Sequence, residues 1–246
     1  MIASEERLAA AIAGLILDPS APPARHIAVG AASPIPAAAC WLVRKMGHPV
    51  RLSLLHRRTG NPFTEGTREL FDLAGQGRID LFFLGGGQID GQANINLIGT
   101  GDWPGRTARF PGSFGSAFMY MMVPRTILFR EEHSKRVLVP RVDAVSAPGV
   151  SPPSHFRRGT AQALVTGRCV FRFEGGRFRL ATRHPGQSAA EIRAATGFDY
   201  DGDDAPETPD PSPEQLSLLR GPVRAEMLET YPEFCARVWR QGTAAA

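Results

Sequence analysis

Gly85-Gly86-Gly87-Gln88-Ile89-Asp90 follows directly on the apolar run Leu81-Phe82-Phe83-Leu84, and Asn94 and Asn96 come soon after. A second glycine cluster, Phe110-Pro111-Gly112-Ser113-Phe114-Gly115-Ser116, lies just beyond. A buried strand that stops at glycines brings bare backbone to the end of a sheet, and in open α/β sheets ligands bind at the carboxyl ends of strands. Glycine lets backbone N–H groups approach a ligand with no Cβ in the way. Side-chain amides add the few polar groups that orient a ligand in a pocket. One Gly-Gly-Gly alone reads first as a tight turn after a core strand; two clusters joined by an amide-rich segment bring a pocket level with that reading.

A third polar group, His56-Arg57-Arg58-Thr59-Gly60-Asn61-Pro62, ends the apolar stretch 50–55. Two arginines and a histidine at a strand end can hold an anion; they also suit a solvated loop tip. His133, in the charged turn 130–136, reads as an exposed turn histidine with no special role.

The elements that must position these groups alternate. Residues 4–17 carry Leu8, Ile12, Leu15 and Ile16 at helical spacing, with Ser4 placed to cap. Strand 26–30, helix 37–46 and strand 50–55 form a βαβ unit, so the sheet is expected to be parallel there with a right-handed crossover. A helix at 67–74 leads to the strand 79–84. Residues 97–99 are read as extended, 103–109 as a loop, 116–122 as buried, and 126–129 and 137–139 as strands. Alternating segments at 163–166, 169–173 and 177–180 give an antiparallel hairpin region with outward arginines. A helix at 189–196 stops at Gly197. The Asp- and Pro-rich stretch 198–214 lacks the glycine and terminal glutamate of a calcium loop and reads as an acidic linker. Helices 213–220 and 223–240 follow, and 242–246 is expected to fray.

With 246 residues and a hydrophobic fraction of 43%, the chain is long enough for one large α/β domain or two small ones. A single domain over 1–246 is expected. The net charge of +4, with arginine greatly outnumbering lysine, suits an anionic ligand but lacks the dense basic footprint of a nucleic-acid binder. Cys40, Cys169 and Cys235 are far apart, with no spacing for zinc, and read as reduced thiols. No metal is expected. The N-terminus is acidic where a signal peptide is basic, and no apolar run reaches membrane length. These features lead us to expect a cytoplasmic location.

Gly85-Gly86-Gly87-Gln88-Ile89-Asp90, Asn94-Ile95-Asn96 and Phe110-Pro111-Gly112-Ser113-Phe114-Gly115 stand in order with several further segments. These are Arg136-Val137-Leu138-Val139, Val142-Asp143-Ala144-Val145-Ser146-Ala147-Pro148-Gly149, Leu164-Val165-Thr166, His184-Pro185-Gly186 and Ala195-Thr196-Gly197-Phe198. Together they resemble the β subunits of class I coenzyme A transferases, of the glutaconate CoA-transferase type, over about residues 25–220. The resemblance implies a Rossmann-like open α/β fold, mostly parallel and flanked by helices, with a C-terminal antiparallel hairpin region. It also implies pairing with a similar α subunit, as a heterodimer or heterotetramer, and coenzyme A as part of the substrate rather than a resident cofactor. Transferases of that family use a β-subunit glutamate that attacks acyl-CoA and then holds CoA as a glutamyl thioester, splitting one transfer into easier steps. The backbone N–H of Gly86 or Gly87 resembles the family's oxyanion donor.

The sequence departs from the family at the nucleophile. The glutamate belongs at the end of the second strand, in a Glu-x-Gly setting, and here that strand runs into His56-Arg57-Arg58. The next carboxylate is Glu65, beside Gly66. Either Glu65 folds back into the site, or this chain does not perform the glutamyl-CoA step. The resemblance thus gives Gly86, Gly87, His56 and Glu65 as catalytic candidates, and Gln88, Asn94, Asn96, Arg57, Arg58, Ser113 and Gly115 as substrate- or CoA-binding candidates. Transfer of CoA between an acyl-CoA and a carboxylic acid is the leading expectation. A CoA-thioester hydrolase of the ring-cleaving type, and a non-catalytic partner subunit, are the alternatives.

Overall fold

A computed structural model describes residues 1–102 and 104–239. Trp103, in the expected loop 103–109, and the expected frayed tail 242–246 lie outside the described residues, as does residue 240 at the end of the last expected helix.

The elements run α1 (Ser4–Ile16), β1 (His26–Val29), α2 (Pro34–Lys45), β2 (Arg51–Leu54), α3 (Thr67–Gly75), β3 (Leu81–Leu84), β4 (Gln88–Ile89), β5 (Ile95–Asn96), β6 (Gly99–Thr100), β7 (Ala108–Arg109), α4 (Ser116–Met122) and β8 (Arg125–Arg130). They continue with β9 (Thr160–Thr166), β10 (Cys169–Glu174), β11 (Arg177–Arg183), α5 (Ala189–Ala195), α6 (Pro213–Leu218), a π-helical stretch (Leu219–Val223), α7 (Arg224–Met227) and α8 (Pro232–Val238). The chain divides into two compact units, Met1–Glu69 with Pro209–Ala246, and Leu70–Thr208. The later boundary falls inside the acidic, Pro-rich stretch 198–214.

In the first unit, β1 and β2 pair in parallel, with Ile27 opposite Leu52 and Val29 opposite Leu54. Helix α2 makes the crossover between them, so the expected βαβ unit is present. Residues Ile35 to Val43 of α2 are all buried, and α1 packs its Leu8, Ile12, Leu15 and Ile16 face inward. Ala3, not Ser4, holds the N-cap position of α1, and the Glu6 carboxylate accepts the Ala3 N–H at 2.9 Å. Glu6 is only 1% exposed and also accepts from Arg220 Nε at 2.7 Å and Trp239 Nε1 at 3.1 Å. The single helix expected over 223–240 is instead two, α7 and α8. Pro232 opens α8 at its first turn, because proline lacks the N–H and fits only there.

In the second unit the strand order is β11-β10-β9-β8-β3. β8 pairs in parallel with both β3 and β9; β10 and β11 add antiparallel strands. Gly175 and Gly176 turn the β10–β11 hairpin with φ of 60° and 79°, the left-handed pair that a two-residue hairpin turn requires. The open, mostly parallel α/β class with an antiparallel hairpin region is therefore what the structure has. Phe171, Phe178, Phe198 and Tyr200 make the core under this hairpin, with ring centroids 4.9–6.0 Å apart.

Three expectations need correction here. The segment 137–139 is not a strand. It makes one parallel bridge, Ile89 with Leu138, since its Val137 C=O and Val139 N–H are both used by Ile89. The stretch after Phe198 does not run free as a linker. Asp201 and Glu207 bridge to Arg179 and Arg183, so it covers the outer edge of β11 and satisfies backbone groups an edge strand would leave open. His133 is not an exposed turn residue. It is buried, with Nδ1 2.8 Å from Thr166 Oγ1 and Nε2 2.9 Å from Thr196 Oγ1.

The three cysteines are free and buried. Among the described residues, no helix is long and apolar enough to cross a membrane, and no group of His, Cys, Asp and Glu could hold a metal ion.

The buried imidazole of His133 sets a pH dependence. Burial, then the positive charge of Arg168, lowers its pKa from 6.5 to about 4. The folded state keeps the ring neutral while the unfolded chain takes up a proton. The stabilisation is complete above about pH 6.5 and is lost as pH falls through that value toward about 4. Equilibrium unfolding from about pH 7 down to about pH 4 should therefore show a loss of about 3 kcal/mol, and His133→Gln should flatten that slope.

Candidate active site

Strand β3 is wholly buried and ends at the three glycines, all of which packing requires. A Cβ on Gly85 would lie 2.9 Å from the Phe129 C=O, one on Gly86 would lie 2.6 Å from the Gln88 C=O and 2.8 Å from Ile95 Cγ2, and one on Gly87 would enter the Phe110 ring. The bare backbone expected here is thus covered by neighbouring groups. Its amides differ in what they do. Gly87 N–H donates to the Asn96 C=O at 2.9 Å, so it is already engaged and is not a free oxyanion donor. Gly86 N–H has no partner among the described residues.

After the glycines, β4 and β5 form a short antiparallel ribbon, Gln88 opposite Asn96 and Ile89 opposite Ile95. The turn between them closes on the carboxylate of Asp90. Asp90 Oδ1 accepts Gln92 N–H at 3.0 Å and Asn94 N–H at 3.1 Å; Oδ2 accepts Asn94 Nδ2 at 3.1 Å and, more distantly, Val142 N–H at 3.4 Å. Ala93 sits inside this turn with φ +60° and is fully buried. A left-handed alanine costs about 1 kcal/mol. The Tyr120 hydroxyl, donating to the Ala93 C=O at 3.1 Å, helps hold it, and Gly149 packs against Ala93 where no Cβ would fit.

The amides expected to face a ligand divide into two kinds. Asn96 is fully buried and saturated: Nδ2 donates to Gln88 Oε1 at 2.7 Å and to the Gly99 C=O at 2.8 Å, and Oδ1 accepts Ile98 and Gly99 N–H. It fastens the ribbon and has no polar atom left for a substrate. Asn94 is likewise engaged, through Asp90 and through Oδ1 accepting Gly149 N–H at 3.0 Å. Gln88 differs. Its Oε1 accepts both Asn96 Nδ2 and Asp143 N–H, which fixes the orientation of the amide. Its Nε2 has no partner among the described residues and is not among the buried unpaired atoms, so it faces accessible space.

The second glycine cluster lies against the first through Phe110, whose ring covers Gly87. Gly112 N–H donates to the Leu97 C=O at 3.0 Å. Ser113 is half-buried, and its C=O accepts Ser116 N–H. Gly115 abuts the Phe71 ring and leaves no room for a side chain. Phe114 adopts φ +42° and is 79% exposed, with its ring 5.4 Å from that of Phe71. Ser116 Oγ is buried without a partner. The role of Asp90 in closing the β4–β5 turn was not legible; the Asx-type spacing from Asp90 to Gln92 and Asn94 was the available signal.

The β2 tip belongs to the first unit. Arg57 is not free to bind an anion. It lies over the Trp41 ring at 5.3 Å and pairs with Glu226 at 3.6 Å and Glu229 at 3.8 Å. Glu229 also accepts Arg58 and Thr59 N–H at 3.0 and 2.9 Å. The Thr59 amide, more than any other group, holds its carboxyl below the usual range. His56 is exposed and rests 5.7 Å from the Tyr231 ring. Arg58 is exposed. Glu65 is exposed and pairs with Arg68 at 3.1 Å, in the lead-in to α3, where Glu69 accepts the Glu65 N–H.

Residues 45–195 match the family described as Coenzyme A transferase. The chain belongs to the coenzyme A transferase family. It is 33% identical, over 147 residues, to the B-type subunit of glutaconate CoA-transferase from Acidaminococcus fermentans, covering 56% of this chain and 54% of that protein. It is 31% identical to the cholesterol ring-cleaving hydrolase IpdB subunit of Mycobacterium tuberculosis over 152 residues, covering 59% of this chain and 60% of that one. The match thus spans little more than half the length of these curated relatives. In fold it is similar to the decarboxylase AibA/AibB, with a TM-score of 0.76 and 24% identity over 89% of this chain and 94% of that one. The similarity carries a coenzyme A transferase fold around the glycine turn and the Asp90 ribbon described above.

Removing the Asp90 carboxylate leaves its close donors on Gln92 and Asn94 without their acceptor. Asp90→Ala should cost roughly 3–5 kcal/mol, read as a lower denaturant midpoint at unchanged slope, and Asp90→Asn about half of that.

Proposed function

We propose that this chain is the B-type subunit of a coenzyme A transferase-type enzyme that acts on acyl-CoA thioesters, moving CoA between an acyl-CoA and a carboxylic acid. An A-type subunit completes the site. The observation that carries this reading is the Gly86 amide: an unpartnered N–H at the carboxyl end of β3, in a turn made rigid by packing on both sides. A nucleophile attacking a thioester carbonyl converts it to a tetrahedral oxyanion, and the charge lies on oxygen until the C–S bond breaks and CoA thiolate leaves. A donor fixed in advance stabilises that charge with no reorganisation. Gln88 Nε2, on the same turn and oriented by Asn96 and Asp143, is the second donor of this cradle. His56 and Arg58, both exposed at the β2 tip of the first unit, have side chains suited to an anion, and Arg57 braces that tip. Ser113 and Gly115 follow Phe110, whose ring covers Gly87.

A second reading is favoured by a specific observation. No carboxylate stands at the end of β2, and Glu65 is exposed and paired with Arg68. The similarity to a ring-cleaving hydrolase subunit fits an enzyme in which water, activated by the partner, replaces the glutamyl nucleophile.

Two measurements separate these readings. The assembled enzyme, incubated with acyl-CoA and then hydroxylamine, should yield a hydroxamate at Glu65 if this chain carries the transferase nucleophile. Turnover with no acceptor acid and no such adduct assigns the hydrolase. In either case Gly86→Ala, which pushes the turn off the Gln88 C=O, should lower kcat by about a hundredfold with little change in KM. An unchanged kcat removes Gly86 from the reaction.

A further inference from the structure

A cavity of about 440 Å³ in the first unit is lined by Met1, Glu6, Arg220, Arg224, Arg237 and Trp239, among others. None of the candidate active-site residues takes part in it. Three arginines converge here against two glutamates, and the pairing is uneven. Arg220 makes a two-pronged pair with Glu6, Nε to Oε1 at 2.7 Å and Nη2 to Oε2 at 2.9 Å. Arg237 pairs with Glu5. Arg224 has no acid. Its Nε is buried without an acceptor, and its guanidinium makes no hydrogen bond or ion pair among the described residues.

A buried, unpaired guanidinium nitrogen is costly, and folded proteins normally satisfy such groups with a partner or with water. The remaining surroundings add to the positive potential. The cavity opens at the N-terminal end of α1, a helix of 13 residues, whose first-turn amides and dipole favour an anion. Its own acidic residues, Glu5 and Glu6, are both committed to Arg237 and Arg220. These pairs hold the two outer arginines in place, and no acid among the described residues pairs with Arg224.

We propose that this cavity is a binding site for a small oxyanion, a phosphate or carboxylate group, received by Arg224 and flanked by Arg220 and Arg237. Arginine presents a planar fork that meets both oxyanions in a bidentate way. The site uses none of the residues proposed for acyl-CoA chemistry and gives the chain a place to sense an anionic metabolite or the anionic end of a larger ligand.

The test uses the full chain and defined salts. Thermal unfolding and titration calorimetry are run with sodium phosphate, sodium acetate and sodium chloride at matched ionic strength, on the wild type and on Arg224→Gln and Arg224→Lys. The expected result is stabilisation by phosphate or acetate beyond chloride, weakened at least tenfold in Arg224→Gln and less in Arg224→Lys, which keeps the charge but loses the fork. A response to phosphate alone assigns a phosphoryl ligand, and a response to both assigns a general oxyanion site that also admits carboxylates. No stabilisation beyond chloride overturns the proposal. So does stabilisation that persists undiminished in Arg224→Gln, since the anion then sits elsewhere. If Arg224→Gln does not fold, Arg237→Gln, on the outer and more exposed flank, carries the same comparison.

Discussion

The geometry of the candidate site depends on one buried carboxylate. Asp90 gathers Gln92, Asn94 and Val142 around itself and so forces the chain into a tight return immediately after the glycine turn. That return brings β5 back beside β4, which lets Asn96 reach Gln88 and lets Gly87 donate to Asn96. The orientation of Gln88 Nε2 follows from the first of those bonds, and Gly86 N–H, on the same turn, is left without a partner among the described residues. The Asp90 side chain therefore decides which donors the turn presents. The left-handed Ala93 is the strain this arrangement stores, held by Tyr120 and Gly149 in the manner of over-determined local strain.

Much of the scaffold was legible because it obeys simple periods. The βαβ unit, the buried β3 and the β9–β11 hairpins follow from alternation, helical spacing and glycine turns. The sequence also pointed to the glycine turn as the centre of a candidate site, on a reading of its backbone that packing changes. Glycine at 85, 86 and 87 reads as bare backbone awaiting a ligand, whereas the side chains of Ile95 and Phe110 and the backbone of Phe129 fill the spaces a Cβ would take. Those partners arrive from later segments of the chain, and no local pattern announces them.

The same blindness to long-range partners explains the other differences. Asn96 looks like a ligand-binding amide because its type is right; its burial and saturation come from Gly99 and Gln88. Arg57 looks like an anion receptor until Glu226 and Glu229 arrive from the far end of the chain. His133 looks exposed in a run of charges, yet Thr166 and Thr196 meet both of its nitrogens. Polar residue type told where hydrogen bonds would be made. It did not tell whether protein or ligand would make them.

The second unit joins two kinds of strand pairing, and that junction has a kinetic consequence. The β9-β10-β11 meander needs only short closures, while pairing β3 with β8 must first bring together chain ends separated by the whole of residues 85–124. Loop closure of that length costs entropy before any contact rewards it. The meander thus has the lowest closure cost in this unit, and the β3–β8 pairing has the longest sequence separation of its strand pairs, so the position of the glycine turn rests on the least local of those contacts.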